Sequence, residues 1–122
     1  MIKSIVFDLD DTICFPNHDA KDTLTKYGKA EPNWPVIEKM RELKSMGYMI
    51  TILSARRMVT HNGDIDAIIK DVAEVTIAWL DEYKVPCDDL QFGKPYSSTY
   101  YVDDKAMNIE EFLSKDFTSM NK

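Results

Sequence analysis

Short apolar runs alternate along the chain with segments of helical spacing, and several of these runs end abruptly at a polar residue. The first run, within 2–7, ends at Asp8, and its near-continuous apolar character is typical of a strand in a sheet covered on both faces. Residues 48–53 form a second such run, which ends at Ser54. Two shorter runs predict a third and a fourth strand, at 90–92 and 100–102.

Helical spacing of the apolar residues appears between these runs. Asn33 can cap a first helix, which Gly47 ends. A longer apolar stripe covers 65–83, but its many β-branched residues leave the start of that helix open, as late as a cap at Asp71. The segment 108–113 predicts a closing amphipathic helix.

Strands that alternate with helices predict a three-layer α/β/α domain, Rossmann-like, with a mainly parallel sheet. The length of 122 residues fits one domain over 1–122 and leaves no room for a second one. Residues 12–32 are polar and irregular, so we expect a turn followed by a surface flap there. The last residues, 119–122, are expected to fray.

The composition is that of an ordinary globular protein, with 44% apolar and 30% charged residues. A net charge of −6 disfavours broad attraction to nucleic acid phosphates. No apolar run approaches the roughly 20 residues of a membrane helix, and no signal peptide pattern is present. Because Cys14 and Cys87 are isolated, we expect a reduced, cytoplasmic protein.

Acidic residues follow the first and the fourth predicted strand. These are Asp8 with Asp10, and Asp103 with Asp104, while Ser54 follows the second strand. The carboxyl ends of parallel strands lie along one edge, where ligands bind, so these groups are expected to converge. Carboxylates crowded together repel one another unless a cation intervenes, and a ligand set of oxygens alone is typical of Mg²⁺.

Basic and hydrogen-bonding side chains accompany these acids in the sequence. Such a mixture suits a phosphoryl group, whose transfer depends mainly on charge neutralisation and alignment. Two of the three arginines follow Ser54 directly, and arginine binds phosphate in a bidentate manner. The candidate groups are Thr12, Ser54, Arg56, Arg57 and Lys94.

Four segments together resemble a known superfamily. Residues 6–12, Val-Phe-Asp-Leu-Asp-Asp-Thr, resemble the DxDxT signature of the haloacid dehalogenase superfamily, in its phosphatase branch. Residues 52–54, 93–95 and 101–104 resemble the second, third and fourth motifs of that superfamily. The motifs occur in the same order as in the superfamily, over essentially the whole chain. The resemblance implies a haloacid dehalogenase-like fold, and the intervals between the motifs leave no room for a cap domain.

By this resemblance, Asp8 is expected to attack phosphorus and form an aspartyl phosphate. Asp10 is expected to protonate the leaving oxygen and later to deprotonate water. Ser54 and Lys94 are expected to bind the phosphoryl oxygens. The implied Mg²⁺ ligands are the carboxylates of Asp8 and Asp103, the backbone carbonyl of Asp10 and, through water, Asp104.

Three stretches, 54–63, 93–95 and 101–106, are more specifically similar to a small capless family of capsular polysaccharide biosynthesis proteins and phosphatases. This similarity implies a sugar phosphate or a related metabolite as substrate. Arg57 and His61 differ from the residues usual in that family. The similarity therefore does not determine the leaving group of the substrate. The expected substrate-binding residues are Thr12, Arg56 and Asn62.

Several alternatives stay open. Thr51 competes with Ser54, Lys105 competes with Lys94, and the Asp88–Asp89 pair is a rival acidic cluster. A nucleotide or polynucleotide-end phosphatase, and a non-catalytic phosphate-binding regulatory module, are alternatives to a phosphatase of small metabolites. An open site without a cap predicts either a large substrate or closure by a neighbouring subunit of a homo-oligomer. We expect neither a nucleic acid nor a membrane partner.

Overall fold

The computed structural model describes residues 3–118, a range that contains five strands and four helices. The elements in chain order are β1 (Ser4–Asp8), β2 (Cys14–Phe15), α1 (Thr23–Lys26), β3 (Glu31–Pro32), α2 (Trp34–Ser45), β4 (Met49–Ser54), α3 (Ile65–Glu82), β5 (Asp89–Phe92) and α4 (Ile109–Ser114). The predicted α/β class with a mainly parallel sheet is confirmed. The residues predicted to fray, 119–122, lie outside the described residues.

The main sheet has the order β1-β4-β5, and both of its pairings are parallel. Asp8 pairs with Leu53 at the end of β1, and Ser54 pairs with Phe92 at the end of β5. The carboxyl ends of the three strands therefore lie side by side. This edge of the sheet receives the loops that carry the candidate site.

One face of the sheet holds the core. Phe7, Ile50 and Ile52 are buried on this face, and α2 covers it with its own apolar stripe. Phe112 of α4 packs edge-on against Phe7, with 5.2 Å between the ring centroids. Each fully buried side chain of this size contributes about 1.5–3 kcal/mol, so burial on this face holds β1 in place. The opposite face is more open, since Val6 is 60% exposed.

The start of α3, which the sequence left open, lies at Ile65, seven residues before the central Val72 of its buried stripe. Asp64 caps the helix by accepting a hydrogen bond from the Ala67 N–H at 3.2 Å. Asp71 lies inside the helix, so it is not the cap. Burial of the β-branched residues against the rest of the molecule outweighs their low helix propensity.

The start of α2 differs from the prediction in one respect. Asn33 occupies the cap position, but its side chain makes no capping hydrogen bond. Its Nδ2 donates instead to the Thr12 carbonyl at 2.9 Å. Asn33 therefore ties the start of α2 to the turn that follows β1.

The flap at 12–32 is a β2–β3 antiparallel pair with α1 between the two strands. The prediction that it is a surface flap is wrong for its inner side, since Ile13, Cys14 and Tyr27 are buried. The buried Trp79 of α3 donates a hydrogen bond from Nε1 to the carbonyl of Ala30 at 2.9 Å. The flap is thus docked on α3.

The predicted fourth strand at 100–102 is wrong, because the structure has no strand there. Val102 is fully exposed and Tyr100 is 93% exposed, so nothing within the described residues buries this apolar run. Without a partner strand, β-propensity alone does not form a strand. Across residues 3–118, no helix has the length and apolar character needed to cross a membrane.

Candidate active site

The carboxylate of Asp8, the last residue of β1, lies between two side chains at the carboxyl edge of the sheet. Lys94 Nζ is 3.0 Å from its Oδ1, and the Thr12 hydroxyl donates to its Oδ2 at 3.0 Å. The pair is partly exposed, with 34% of the Asp8 side chain and 22% of the Lys94 side chain accessible. A carboxylate beside a cation at an open edge can meet a phosphoryl group.

Lys94 reaches Asp8 because of the backbone that follows β5. Gly93 has a φ of 96°, a left-handed conformation that glycine adopts at little cost. The Lys94 N–H then donates to the Ser54 carbonyl at 3.1 Å. The third predicted motif is therefore tied directly to the second.

Asp10 is paired with a different base. Arg56 Nε lies 3.1 Å from Oδ1 and 3.0 Å from Oδ2 of Asp10, and Arg56 Nη2 donates to Oδ1 at 2.8 Å. The Arg56 side chain is 0% exposed, whereas 23% of the Asp10 side chain is accessible. Asp10 thus lies between a buried cation and the open edge.

Further side chains surround this pair. Arg56 Nη1 donates to the Thr76 hydroxyl of α3 at 2.8 Å, and its guanidinium lies 4.2 Å from the centroid of the Tyr27 ring. The Cys14 thiol is 3.4 Å from Oδ1 of Asp10. Burial, and secondarily the nearby Asp10 carboxylate, raises the pKa of Cys14 well above its usual range. Burial likewise raises the pKa of Tyr27.

Ser54 and Arg56 are both buried, and both take part in hydrogen bonds within the protein. Ser54 Oγ accepts a hydrogen bond from the Arg56 N–H at 3.0 Å, so it shapes the turn after β4. The predicted substrate contact of Arg56 is not what the structure shows, because its guanidinium is turned inward onto Asp10 and Thr76. The phosphate-binding role of Ser54 stays a prediction.

The predicted cluster of four carboxylates is not formed. Asp103 is exposed, and its Oδ1 accepts from the Lys105 N–H at 2.9 Å, which lowers the pKa of Asp103. Within the described range, no group of three or more acidic, histidine or cysteine side chains is arranged to hold a metal ion. Asp8 and Asp10 are instead in contact with Lys94 and Arg56, while the absent fourth strand leaves 103–104 outside the sheet. The described residues in this arrangement do not form a set of Mg²⁺ ligands. Binding of Mg²⁺ by Asp8, Asp10, Asp103 and Asp104 stays a prediction.

One contact nevertheless places the segment before Asp103 beside the site. Lys94 Nζ lies 5.4 Å from the centroid of the Tyr101 ring. Asp103 is two residues further along the chain. Tyr101 therefore joins Lys94 and Asp8 at the same edge.

Asn62 lies in an exposed turn with a φ of 51°, and its N–H donates to the Val59 carbonyl. Among the hydrogen bonds and ion pairs of residues 3–118, none joins its side chain to Asp8, Asp10 or Lys94. Its predicted substrate contact stays a prediction.

A second charged cluster was not predicted. His61 Nε2 lies 2.8 Å from Asp71 Oδ2, and Arg57 Nε lies 3.2 Å from the same oxygen. The Tyr27 ring links this cluster to the first, because the Arg57 guanidinium is 5.7 Å from its centroid.

The residues around Arg56 were also missed as functional candidates. The signal available was Thr76, a polar residue on the otherwise apolar buried stripe of α3. A buried hydroxyl needs a hydrogen-bond partner, so its position indicates a polar group facing the helix.

No protein-family model matches the chain, and no curated protein matches it. Two solved structures share its fold: the Pnkp1/Rnl/Hen1 complex (23% identity, TM-score 0.56, covering 93% of this chain and 35% of that chain) and the Pnkp1/Rnl/Hen1 RNA repair complex (21% identity, TM-score 0.55, covering 80% and 28%). The chain thus spans about a third of those proteins.

A crystal structure of a structural genomics target from Vibrio cholerae is more similar. It is 31% identical, with a TM-score of 0.84, and the match covers 98% of this chain and 94% of that one. Similarity at this identity over nearly the full length of both chains establishes common membership. The chain belongs to the same family as this Vibrio cholerae protein.

Proposed function

We propose that the protein is a phosphatase that hydrolyses a phosphomonoester through an aspartyl phosphate on Asp8. The observation that supports this most directly is the Asp8 carboxylate at the open edge of the sheet, 3.0 Å from the Lys94 ammonium, with Asp10 two residues away. The resemblance of four segments to haloacid dehalogenase phosphatases supports the same activity. Membership of that superfamily is part of the proposal.

In the first step, a carboxylate oxygen of Asp8 attacks phosphorus. A bond forms between this oxygen and phosphorus, and the bond from phosphorus to the leaving oxygen breaks. Asp10 gives its proton to the leaving oxygen, and the Lys94 ammonium neutralises charge on the phosphoryl oxygens.

In the second step, water attacks the phosphorus of the aspartyl phosphate. Asp10, now ionised, takes a proton from the water, and the bond between phosphorus and the Asp8 oxygen breaks. Inorganic phosphate leaves, Asp8 returns as a carboxylate, and Asp10 again carries its proton. Both acids are regenerated, so the cycle is balanced.

The test is the Asp8→Asn variant, assayed with an aryl phosphate in the presence of Mg²⁺ and again with a chelator. We expect the variant to keep its fold and to lose hydrolysis, because an amide oxygen is a far weaker nucleophile. Asp19→Asn, at an exposed position of the flap, is the matched control and should retain wild-type activity. Activity retained by Asp8→Asn would refute the aspartyl phosphate.

The substrate we propose is a sugar phosphate or a similar small metabolite. The net charge of −6 is consistent with a small ligand and unfavourable for a long polyanion. A panel of phosphorylated metabolites, run with wild type and Asp8→Asn side by side, identifies the substrate as the compound with the highest kcat/KM. No turnover of any compound would favour a non-catalytic phosphate-binding module.

A polynucleotide end is the second candidate substrate. Two observations favour it. One is the shared fold with proteins of an RNA repair complex. The other is a pair of tyrosines: Tyr101, which lies beside Lys94 and is half-exposed, and the preceding Tyr100, which is almost fully exposed. Exposed aromatic rings can stack on bases. An oligonucleotide that ends in a phosphate is therefore part of the panel, and its preferential hydrolysis over sugar phosphates would select this candidate.

A further inference from the structure

The contact between Arg56 and Asp10 is asymmetric. Oδ1 of Asp10 accepts from Arg56 Nε at 3.1 Å and Nη2 at 2.8 Å, and the Cys14 thiol lies 3.4 Å away. Within residues 3–118, the only hydrogen bond to Oδ2 comes from the shared Nε at 3.0 Å. One oxygen is therefore held by the protein, and the other keeps most of its capacity for a further partner.

We infer that Arg56 is a positioning residue that fixes the Asp10 carboxylate by its Oδ1 and leaves Oδ2 as the oxygen that exchanges a proton with the leaving group and with water. This inference rests on the proposed phosphatase function. Arg56 itself does not reach the substrate, since its side chain is fully buried.

The arginine can perform this role because it is itself held on several sides. Nη1 donates to Thr76 at 2.8 Å, the Tyr27 ring covers the guanidinium, and the Arg56 N–H is bonded to Ser54 Oγ at 3.0 Å. A planar guanidinium anchored at both ends of its fork defines the plane and the direction of the carboxylate that it binds. Catalytic groups that are held in advance in this way lose little entropy in the transition state.

The proton follows one route in this arrangement. Oδ2 gives the proton to the leaving oxygen as the bond to phosphorus breaks. Oδ2 then takes a proton from the attacking water in the second step. Because Oδ1 stays bonded to Arg56 throughout, the carboxyl group does not rotate between the two steps.

The dependence on the leaving group separates positioning of the acid from a general structural role. A dinitrophenolate leaves without a proton, whereas a phenolate needs the general acid, whose contribution is typically about 10²–10⁴-fold. Lysine lacks the guanidinium fork, so we expect Arg56→Lys to lower kcat/KM about 10- to 100-fold for phenyl phosphate and less than about 3-fold for dinitrophenyl phosphate.

Two further variants complete the comparison. Thr76→Val removes one anchor of Arg56 without touching Asp10, and it should show the same pattern at about 3- to 10-fold. Arg41→Lys changes an arginine that donates to the backbone carbonyls of Tyr83 and Lys84, and it should leave the ratio of the two substrates unchanged. Equal losses on both esters in Arg56→Lys, or no loss on either, would overturn the inference.

A measurement without catalysis keeps the inference separate from the proposed function. The side-chain N–H signal of Arg56 in proton–nitrogen correlation spectra, assigned by its absence in Arg56→Lys, should move in Asp10→Asn. An unmoved signal would overturn the pairing whatever the activity. A moved signal in a protein that hydrolyses neither ester would reject the phosphatase proposal and, with it, the proton route, while the pairing stands.

Discussion

The two acids of the candidate site differ in the energetics of their ion pairs. Asp8 and Lys94 are both partly accessible to water, so their attraction is screened and contributes little to folding. Arg56 is fully buried, and removing one partner of such a pair leaves an uncompensated charge. Substitutions of Lys94 should therefore report on activity, whereas those of Arg56 combine activity with stability.

Lys94→Met is expected to lower kcat/KM for an aryl phosphate by about 10²–10³-fold, the usual effect of removing one group that stabilises transition-state charge. The free energy of unfolding should change by less than about 1 kcal/mol, because the pair is partly exposed. Steady-state kinetics and urea unfolding measure the two quantities. Lys105→Met, at an exposed position, is the control that keeps wild-type kinetics, and an equal loss in both variants would contradict the assignment.

The choice between Lys94 and Lys105 was open in the sequence, and the pairing of Arg56 with Asp10 was not foreseen. The Gly-Lys-Pro motif at 93–95 favoured Lys94, because the glycine of this motif permits the local backbone conformation that places Lys94 beside Asp8. The Arg56–Asp10 pair joins residues 46 positions apart and depends on which way a side chain turns once buried. Spacing and residue type do not determine such a rotamer.

At the scale of elements, the contact of the flap with α3 supports the site from behind. Tyr27 packs in a cluster with Ile68, Val72 and Val75 of α3 and also covers Arg56. Gly28 permits this contact: a Cβ at that position would lie 2.4 Å from the Leu24 carbonyl oxygen and 3.2 Å from Cγ2 of Val75. The nearer atom belongs to the backbone, so it cannot rotate away.

Gly28→Ala is therefore expected to destabilise the protein by about 1–3 kcal/mol, the usual cost of overpacking. Urea unfolding followed by far-ultraviolet circular dichroism measures the change. Lys29→Ala, at the exposed next residue, should stay within about 0.5 kcal/mol of wild type. A Gly28→Ala variant as stable as Lys29→Ala would contradict this expectation, because it would show that the flap accommodates the added Cβ with no loss in the free energy of unfolding.

The apolar pattern predicted strands correctly where another strand pairs with them, and incorrectly where no strand does. The runs that predict β1, β4 and β5 pair with one another in the structure. The run at 100–102 has the same β-propensity but stays exposed, because strand formation depends on a neighbouring strand that sequence alone does not supply. Without this strand, Asp103 is exposed and does not lie at the end of a strand of the sheet, as the prediction required.

At the scale of the whole molecule, the end of β4 opposite to the candidate site is held by one carboxylate. Asp88 accepts from the Ile50 N–H at 2.7 Å and from Lys44 Nζ at 2.6 Å, so it joins the end of α2 to the start of β4. These two contacts lower the pKa of Asp88 below its usual range, and the hydrogen bond from the Ile50 N–H has a larger effect than that from Lys44. This junction makes the stability of the fold sensitive to acid.

The sign of the pH effect follows from that lowered pKa. A carboxylate with a folded-state pKa below its unfolded value stabilises the protein at pH values above the unfolded pKa of about 3.9, and this contribution is lost as the pH falls through the folded pKa. The Tm of Asp88→Ala should therefore lie below that of wild type by a constant amount between about pH 7 and 5, with the gap closing below about pH 4. Glu38→Ala, an exposed acid on α2, should show no such closing gap. A gap for Asp88→Ala that stays constant into acid would mean that the carboxylate charge is irrelevant to the junction, which would then depend on packing alone.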